Sequence, residues 1–336
     1  MIREPLFFQR NRVGRVYTGG KLFHGFFGDE DKDGYEPEEW IASSVRAVNR
    51  VPKSEREGVS VLENGAFFDD VLKAEKEALL GKDGVMRILV KALDSSIRLP
   101  AQVHPDKAFS RENFHSSYGK TECWLILDTR PDAKIFFGFQ EGVTESDLLS
   151  AVEQSETDAD AMERLMRAIP VKKGDVCLVP ARTVHAIGKG CLILEVQEPT
   201  DFTIQPERYC GEYRLSDEEM YLGLSKEKAL SCFDFGKPPC GMLTPTPLYE
   251  KDGVKKDVLI GEQHTDCFNV NRITLTGGEY QMARGGYAVY VVTEGEGEIL
   301  GKEYSRKIQK GDYFFMPACL DGQFTLRGNV EIAECY

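Results

Sequence analysis

Apolar residues in this chain fall mostly in short runs closed by glycine, proline or aspartate. RILVKAL, ECWLILDT, AKIFFGF, DVCLVP, GCLILEVQ, YAVYVVTEG, DYFFMP and QFTLRG are rich in Val, Ile, Phe or Tyr and bounded by turn residues. Such runs predict strands, and a succession of them predicts a mainly β fold of sandwich or barrel type. Two segments depart from this pattern. Within residues 143–169, Leu148, Leu149 and Val152, then Met162, Leu165, Met166 and Ile169, recur at helical spacing, and Thr144 with Asp147 three residues on offers a capping box. A helical insertion between two strands is predicted here, near 143–170. The run DDVLKAEKEALL, residues 69–80, predicts a second amphipathic helix.

A repeat lies within the strand pattern. Gly174-Asp175 is followed after four residues by Pro180-Ala181, and Gly311-Asp312 is followed after four by Pro317-Ala318, each copy preceded by a lysine (Lys173, Lys310). Matching turns with matching flanks imply two related β domains. The proline- and glycine-rich stretch FDFGKPPCGMLTPTP suggests a boundary within 233–245, dividing the chain into residues 1–235 and 236–336. The copies differ at one informative point. His185 stands five residues after Pro180, whereas Gly322 stands five after Pro317. A histidine that the second copy can lose is not needed to build the fold, so it serves the chemistry of the first domain.

Composition narrows the possible functions. The hydrophobic share, 41%, is that of an ordinary globular chain of one large or two medium domains. No run approaches the roughly eighteen apolar residues of a membrane span, and the N-terminal residues show no signal-peptide pattern, so a cytoplasmic protein without a membrane partner is expected. The nine cysteines are widely spaced, without a C-x-x-C pair, and read as thiols in a reducing compartment. A formal net charge of −13 excludes a basic nucleic-acid footprint. It also requires that any anionic substrate be held by a local group of cations.

Four residues form a candidate metal site. Gln102 and His104, two apart in AQVHP, point to one face if that segment is extended. Glu122 lies in the run KTECWLIL with Lys120 two residues earlier on the same side, and His185 opens the strand after the Pro-Ala turn. Any one of them alone reads more simply as a hydrogen-bonded structural residue. Together, two imidazoles, a carboxylate and an amide oxygen suit Zn2+ with one position left open, and would also accept Fe2+, Mn2+ or Co2+.

With these residues in place, the chain resembles the class I mannose-6-phosphate isomerases of the cupin superfamily over nearly its whole length. The resemblance is carried by VKAL (90–93), AQVHPDK (101–107), GKTECW (119–124), VPARTVHAIGKGCLILEVQ (179–197) and the Thr200-Asp201 pair. It implies two cupin-type jelly-roll barrels, the first catalytic with a helical insertion and the second a degenerate, metal-free copy. It also implies one zinc ion on Gln102, His104, Glu122 and His185. Lys91 matches a phosphate-contacting lysine of the family, Lys120 a lysine beside the metal, and Glu195 an acidic residue of the pocket. Two positions depart from the family pattern. Pro100 stands where a serine is usual, with Ser95 and Ser96 the nearby hydroxyls. Gln205 stands where the family has its catalytic arginine, with Arg208 three residues on.

The activity implied is the interconversion of mannose 6-phosphate and fructose 6-phosphate through a cis-enediol, with Lys120 or Glu195 moving the proton and Lys91 and Arg208 facing the sugar phosphate. Two alternatives stay open: isomerisation of another sugar phosphate on the same scaffold, and a metal-containing sugar-phosphate sensor without turnover. An iron oxygenase is disfavoured, because the partner of His104 is Gln102 and not a second histidine.

Overall fold

The computed structural model describes residues 2–236 and 242–336. The expected boundary at 233–245 includes 237–241, which lie outside the described residues.

The chain is mainly β, and two large antiparallel sheets dominate it. In the first, the strand Glu122–Thr129 pairs with Cys191–Gln197, which pairs with Leu89–Asp94, which pairs with Glu38–Ile41. Val176–Val179 continues the sheet on the other side of Glu122–Thr129. In the second, the long strands Ala288–Gly301, Thr325–Cys335 and Val270–Gln281 lie side by side, with Val254–Ile260 and Thr246–Lys251 beyond them and Tyr313–Met316 on the other flank. The strand Leu6–Phe7 completes this second sheet by pairing with Tyr313–Met316, so the start of the chain is stitched to its far end.

Strand period two explains why these runs read as continuously apolar. Cys123, Leu125 and Leu127 face a core shared with Val289, Val291, Tyr313 and Phe315 of the second sheet. Their neighbours Trp124 and Ile126 face the interior of the first sheet's own layer, and Ala288, Tyr290 and Val292 face that of the second. Both faces of these central strands are therefore covered, whereas the edge strand Thr246–Lys251 is exposed. Glu122, fully buried, is on the interior face with Trp124.

The repeat is visible in atomic detail. Gly174 and Gly311 both have φ 88°, the left-handed region that glycine enters without steric cost. Their N–H groups donate to Ile126 O (2.8 Å) and Val292 O (2.9 Å). Asp175 accepts from Lys172 N–H (2.9 Å) and Asp312 from Gln309 N–H (2.8 Å). The copies part after the prolines. One continues to His185, whose N–H donates to Gln102 O (2.9 Å); the other makes a 3-10 turn over Ala318–Leu320 and reaches Gly322, whose N–H donates to Met282 O (2.8 Å). In the second sheet Met282 and Gly322 thus stand where Gln102 and His185 stand in the first. Ala288, opposite Met316, matches Glu122 opposite Val179. None of these three replacements can ligate a metal as a carboxylate or imidazole does.

Two helix expectations need correction. The helix Glu145–Gln154 starts on the Thr144/Asp147 capping box but stops at Ser155. After a 3-10 turn at Glu163–Leu165, the residues Met166–Pro170 form a strand against Lys134–Phe139. Ile169 lies opposite Ile135 there, so pairing with a waiting edge overrides the helical spacing. The second predicted helix is two, Phe68–Ala74 and Lys76–Leu80, broken at Glu75.

Candidate metal centre and substrate pocket

Three routes of the backbone bring the candidate ligands together. The segment carrying Gln102 and His104 is not a continuous strand. It is held by a reciprocal pair of hydrogen bonds between Gln102 and His185, and by Val103 paired with Ile204. Its entry is fixed by a residue that sequence reading missed: buried Glu207 accepts the Ala101 N–H (2.6 Å) and both Nη atoms of Arg98 (2.9 and 2.5 Å). Glu207→Ala removes these partners from a buried carboxylate site, and is expected to lower unfolding free energy by about 3 kcal/mol, read by denaturant titration.

His104, Glu122 and His185 offer ligand atoms that all lie within 4.8 Å of one another, and all three residues are buried. His104 Nδ1 is 2.9 Å from Phe202 O and His185 Nδ1 is 2.8 Å from Thr183 O. A carbonyl can only accept, so each Nδ1 carries the proton and each Nε2 presents a bare lone pair. These lone pairs meet a carboxylate: His104 Nε2 is 3.1 Å from Glu122 Oε2, and His185 Nε2 is 3.4 Å from Glu122 Oε1. His185 Nε2 has no hydrogen-bond donor. Acceptors converging in a buried site require a cation between them, and the donor set fits a divalent metal ion. The Lys120 ammonium supplies part of that charge, 2.7 Å from both His104 Nε2 and Glu122 Oε2. Burial, together with the Lys120 charge, pushes the His104 pKa down to about 3, which keeps the ring in its ligating form. Trp124 Nε1 donates to Glu122 Oε1 (3.1 Å), fixing the carboxylate.

Above this centre opens a cavity of about 330 Å³ whose wall includes Gln102, Lys120, Glu195, Lys91, Asp201 and Arg15. The two histidines and Glu122 are not among the residues that line it, whereas Lys120, which bonds His104 and Glu122, is. Glu195 is aligned across the sheet with Lys91 on one side and Trp124 on the other. Burial, with Glu122 nearby, raises its pKa to about 7 against the opposing pull of Lys91 and Lys120.

Lys91 reaches the cavity wall, but three carboxylates surround it: Glu195 at 3.5 Å, Asp201 at 3.7 Å and Glu38 at 3.9 Å. Its charge is thus compensated by carboxylates of the cavity wall itself. Arg15 completes the network, pairing with Glu38 (2.9 Å) and with both oxygens of Asp201 (3.0 and 3.1 Å). Burial works against ionisation of Glu38, but Arg15 and Lys91 outweigh it and hold that carboxyl at about 2. Glu38 and Trp40, two apart in the strand Glu38–Ile41, share a face, and Trp40 Nε1 donates to Glu38 Oε2 (2.6 Å).

Arg208 does not enter the pocket. Its guanidinium pairs with Glu156 (2.7 Å) and Asp217 (2.8 Å) and donates to Leu215 O, and it is not among the residues lining the cavity. The following residues Tyr209–Cys210 turn into a short hairpin with Tyr213–Arg214, which carries the side chain outward. Gln205 itself does line the cavity. Neither nearby serine replaces the hydroxyl absent at Pro100: Ser95 Oγ donates to Gly188 O, Ser96 Oγ bonds Thr18, and neither faces the cavity. Among the described residues, no helix is long and apolar enough to cross a membrane.

A buried acceptor cluster on a mainly β scaffold defines the class, and comparison with known proteins specifies it. The family model for the mannose-6-phosphate isomerase cupin domain matches residues 262–336. The chain is 30% identical to the mannose-6-phosphate isomerase of Streptococcus mutans over 98% of its own length and 97% of the relative's. It is also 30% identical to mannose-6-phosphate isomerase ManA of Bacillus subtilis, over 100% and 98%. The crystal structure of a Bacillus subtilis mannose 6-phosphate isomerase superposes with a TM-score of 0.79 at 25% identity, covering 99% of this chain and 100% of that one. The chain belongs to the mannose-6-phosphate isomerase family.

Proposed function

We propose that this chain is a metal-dependent aldose–ketose isomerase that interconverts mannose 6-phosphate and fructose 6-phosphate through a cis-enediol. The observation that carries the metal is the unpartnered His185 Nε2, facing Glu122 and His104 in a buried site. Zn2+ is the ion the donor set suits best, on Gln102, His104, Glu122 and His185. When bound, the ion supplies Lewis-acid polarisation of the oxygens at C1 and C2.

The chain's own groups do the rest. Glu195, its pKa raised by burial, is a base suited to taking the C2 proton and returning it at C1 near neutral pH. Lys120 lines the cavity beside it, placed to donate to a developing oxyanion. Lys91 and Arg15 hold Glu38, Glu195 and Asp201 in fixed positions. The matching Gly-Asp turns and the cupin-domain match support two cupin-type barrels, residues 1–235 bearing the centre and 236–336 the metal-free copy.

A coupled assay decides the substrate. Mannose 6-phosphate should yield fructose 6-phosphate at a kcat/KM at least tenfold above glucose 6-phosphate or any pentose phosphate. A reversed order moves the assignment to another sugar phosphate, and no turnover of any leaves the sensor reading.

A further inference from the structure

A sugar phosphate with its reacting carbons over Lys120 and Glu195 must place its phosphate elsewhere in the same cavity. Among the described residues, four cations line that cavity: Lys120, Lys91, Arg15 and Arg50. Lys120 is engaged at the metal centre, and Lys91 and Arg15 share Glu38 and Asp201. Diverting either to a phosphate would strand a buried carboxylate and set a dianion beside it.

Arg50 differs. It is solvent-exposed at the cavity mouth, next to the Tyr213 hydroxyl and Glu219. Glu219 is held without it, accepting from Ser216 N–H (2.9 Å), Ser216 Oγ (2.7 Å) and the Tyr213 hydroxyl (2.7 Å). The backbone leading to Arg50 is anchored to the pocket. The Val48 N–H donates to Asp201 Oδ2 (2.8 Å), and Asn49 joins Arg15 (3.1 Å) to Gly14 O (3.0 Å). Its hydrogen bond to the neutral Tyr213 hydroxyl can be given up without stranding a buried carboxylate, so this guanidinium, on a fixed segment, can take a phosphate with two parallel hydrogen bonds.

We propose that Arg50 is the phosphate-recognition residue of this chain and selects phosphorylated over neutral sugars. This rests on the isomerase reading above for the orientation of the sugar. Glu218 and Glu219 stand on the same rim, so loss of Arg50 leaves the mouth acidic and repels the phosphate.

The test uses R50Q and R50K in the metal-loaded protein, with mannose 6-phosphate and mannose as substrates and inorganic phosphate as competitive inhibitor. R50Q should raise KM for mannose 6-phosphate and Ki for phosphate by about 10- to 100-fold. It should leave kcat and the turnover of mannose nearly unchanged, and R50K should recover part of the loss. Unchanged KM and Ki, or an equal loss on both sugars, overturns the proposal. Should the wild type not turn over mannose 6-phosphate, the isomerase reading fails, and calorimetry with inorganic phosphate still decides Arg50: equal affinity in wild type and R50Q refutes it.

Discussion

His104→Ala will lose its bound metal and at least about 10³-fold in kcat/KM, because the Lewis-acid contribution at stake is several kcal/mol. The loss follows from the geometry. His104 Nε2 converges with Glu122 and the unpartnered His185 Nε2, and alanine removes one of these ligand atoms. The protein should remain folded, since the second sheet builds the same Gly-Asp turns without this cluster, having Met282, Ala288 and Gly322 where Gln102, Glu122 and His185 stand in the first. Metal analysis and circular dichroism on the same sample separate the two effects. His104→Gln, closer in volume, guards against a packing artefact. A metal-free His104→Ala protein with wild-type turnover would remove the ion from the reaction.

The second large effect is expected at Glu195. Glu195→Gln preserves shape but cannot accept a proton, so kcat should fall by about 10²- to 10⁴-fold with KM little changed. The pH dependence carries a sign. A base must be deprotonated to act, so wild-type kcat/KM is full at high pH and declines as pH falls through the raised pKa of Glu195. Burial places that value at about 7. A bound divalent ion nearby draws it down, so the limb should lie between the ordinary carboxylate range and about 7. The limb should vanish in Glu195→Gln. A Glu195→Gln enzyme with wild-type kcat would assign the proton to Lys120 instead.

Much of this was legible in the sequence because the signals were local. The strands from Glu122 and Cys191 are continuous apolar runs, since these central strands are covered on both faces. The Gly-Asp turns announce themselves because φ near 88° admits little but glycine. His104, Glu122 and His185, whose ligand atoms meet, could be grouped with Gln102 from alternation, from the loss of the histidine in the second copy and from the family resemblance. What could not be read was which distant segments meet. Arg15 and Asp201, 186 residues apart, are joined by Arg15 Nη2 donating to both carboxylate oxygens, and it is this network that neutralises Lys91. Arg208 was assigned from proximity in sequence to Gln205, but the hairpin at Tyr209 turns it toward Glu156 and Asp217. Met166–Pro170 has helical spacing yet joins a sheet, because the partner strand lies about thirty residues upstream. Alternation tells which face a residue occupies; it does not tell what that face will meet.

The most direct test of the metal-dependent reading is turnover of mannose 6-phosphate by protein stripped with a chelator, dialysed and reconstituted. Activity should disappear with the metal and return on addition of one equivalent of Zn2+ per chain. Undiminished turnover by protein shown to contain no metal would contradict it.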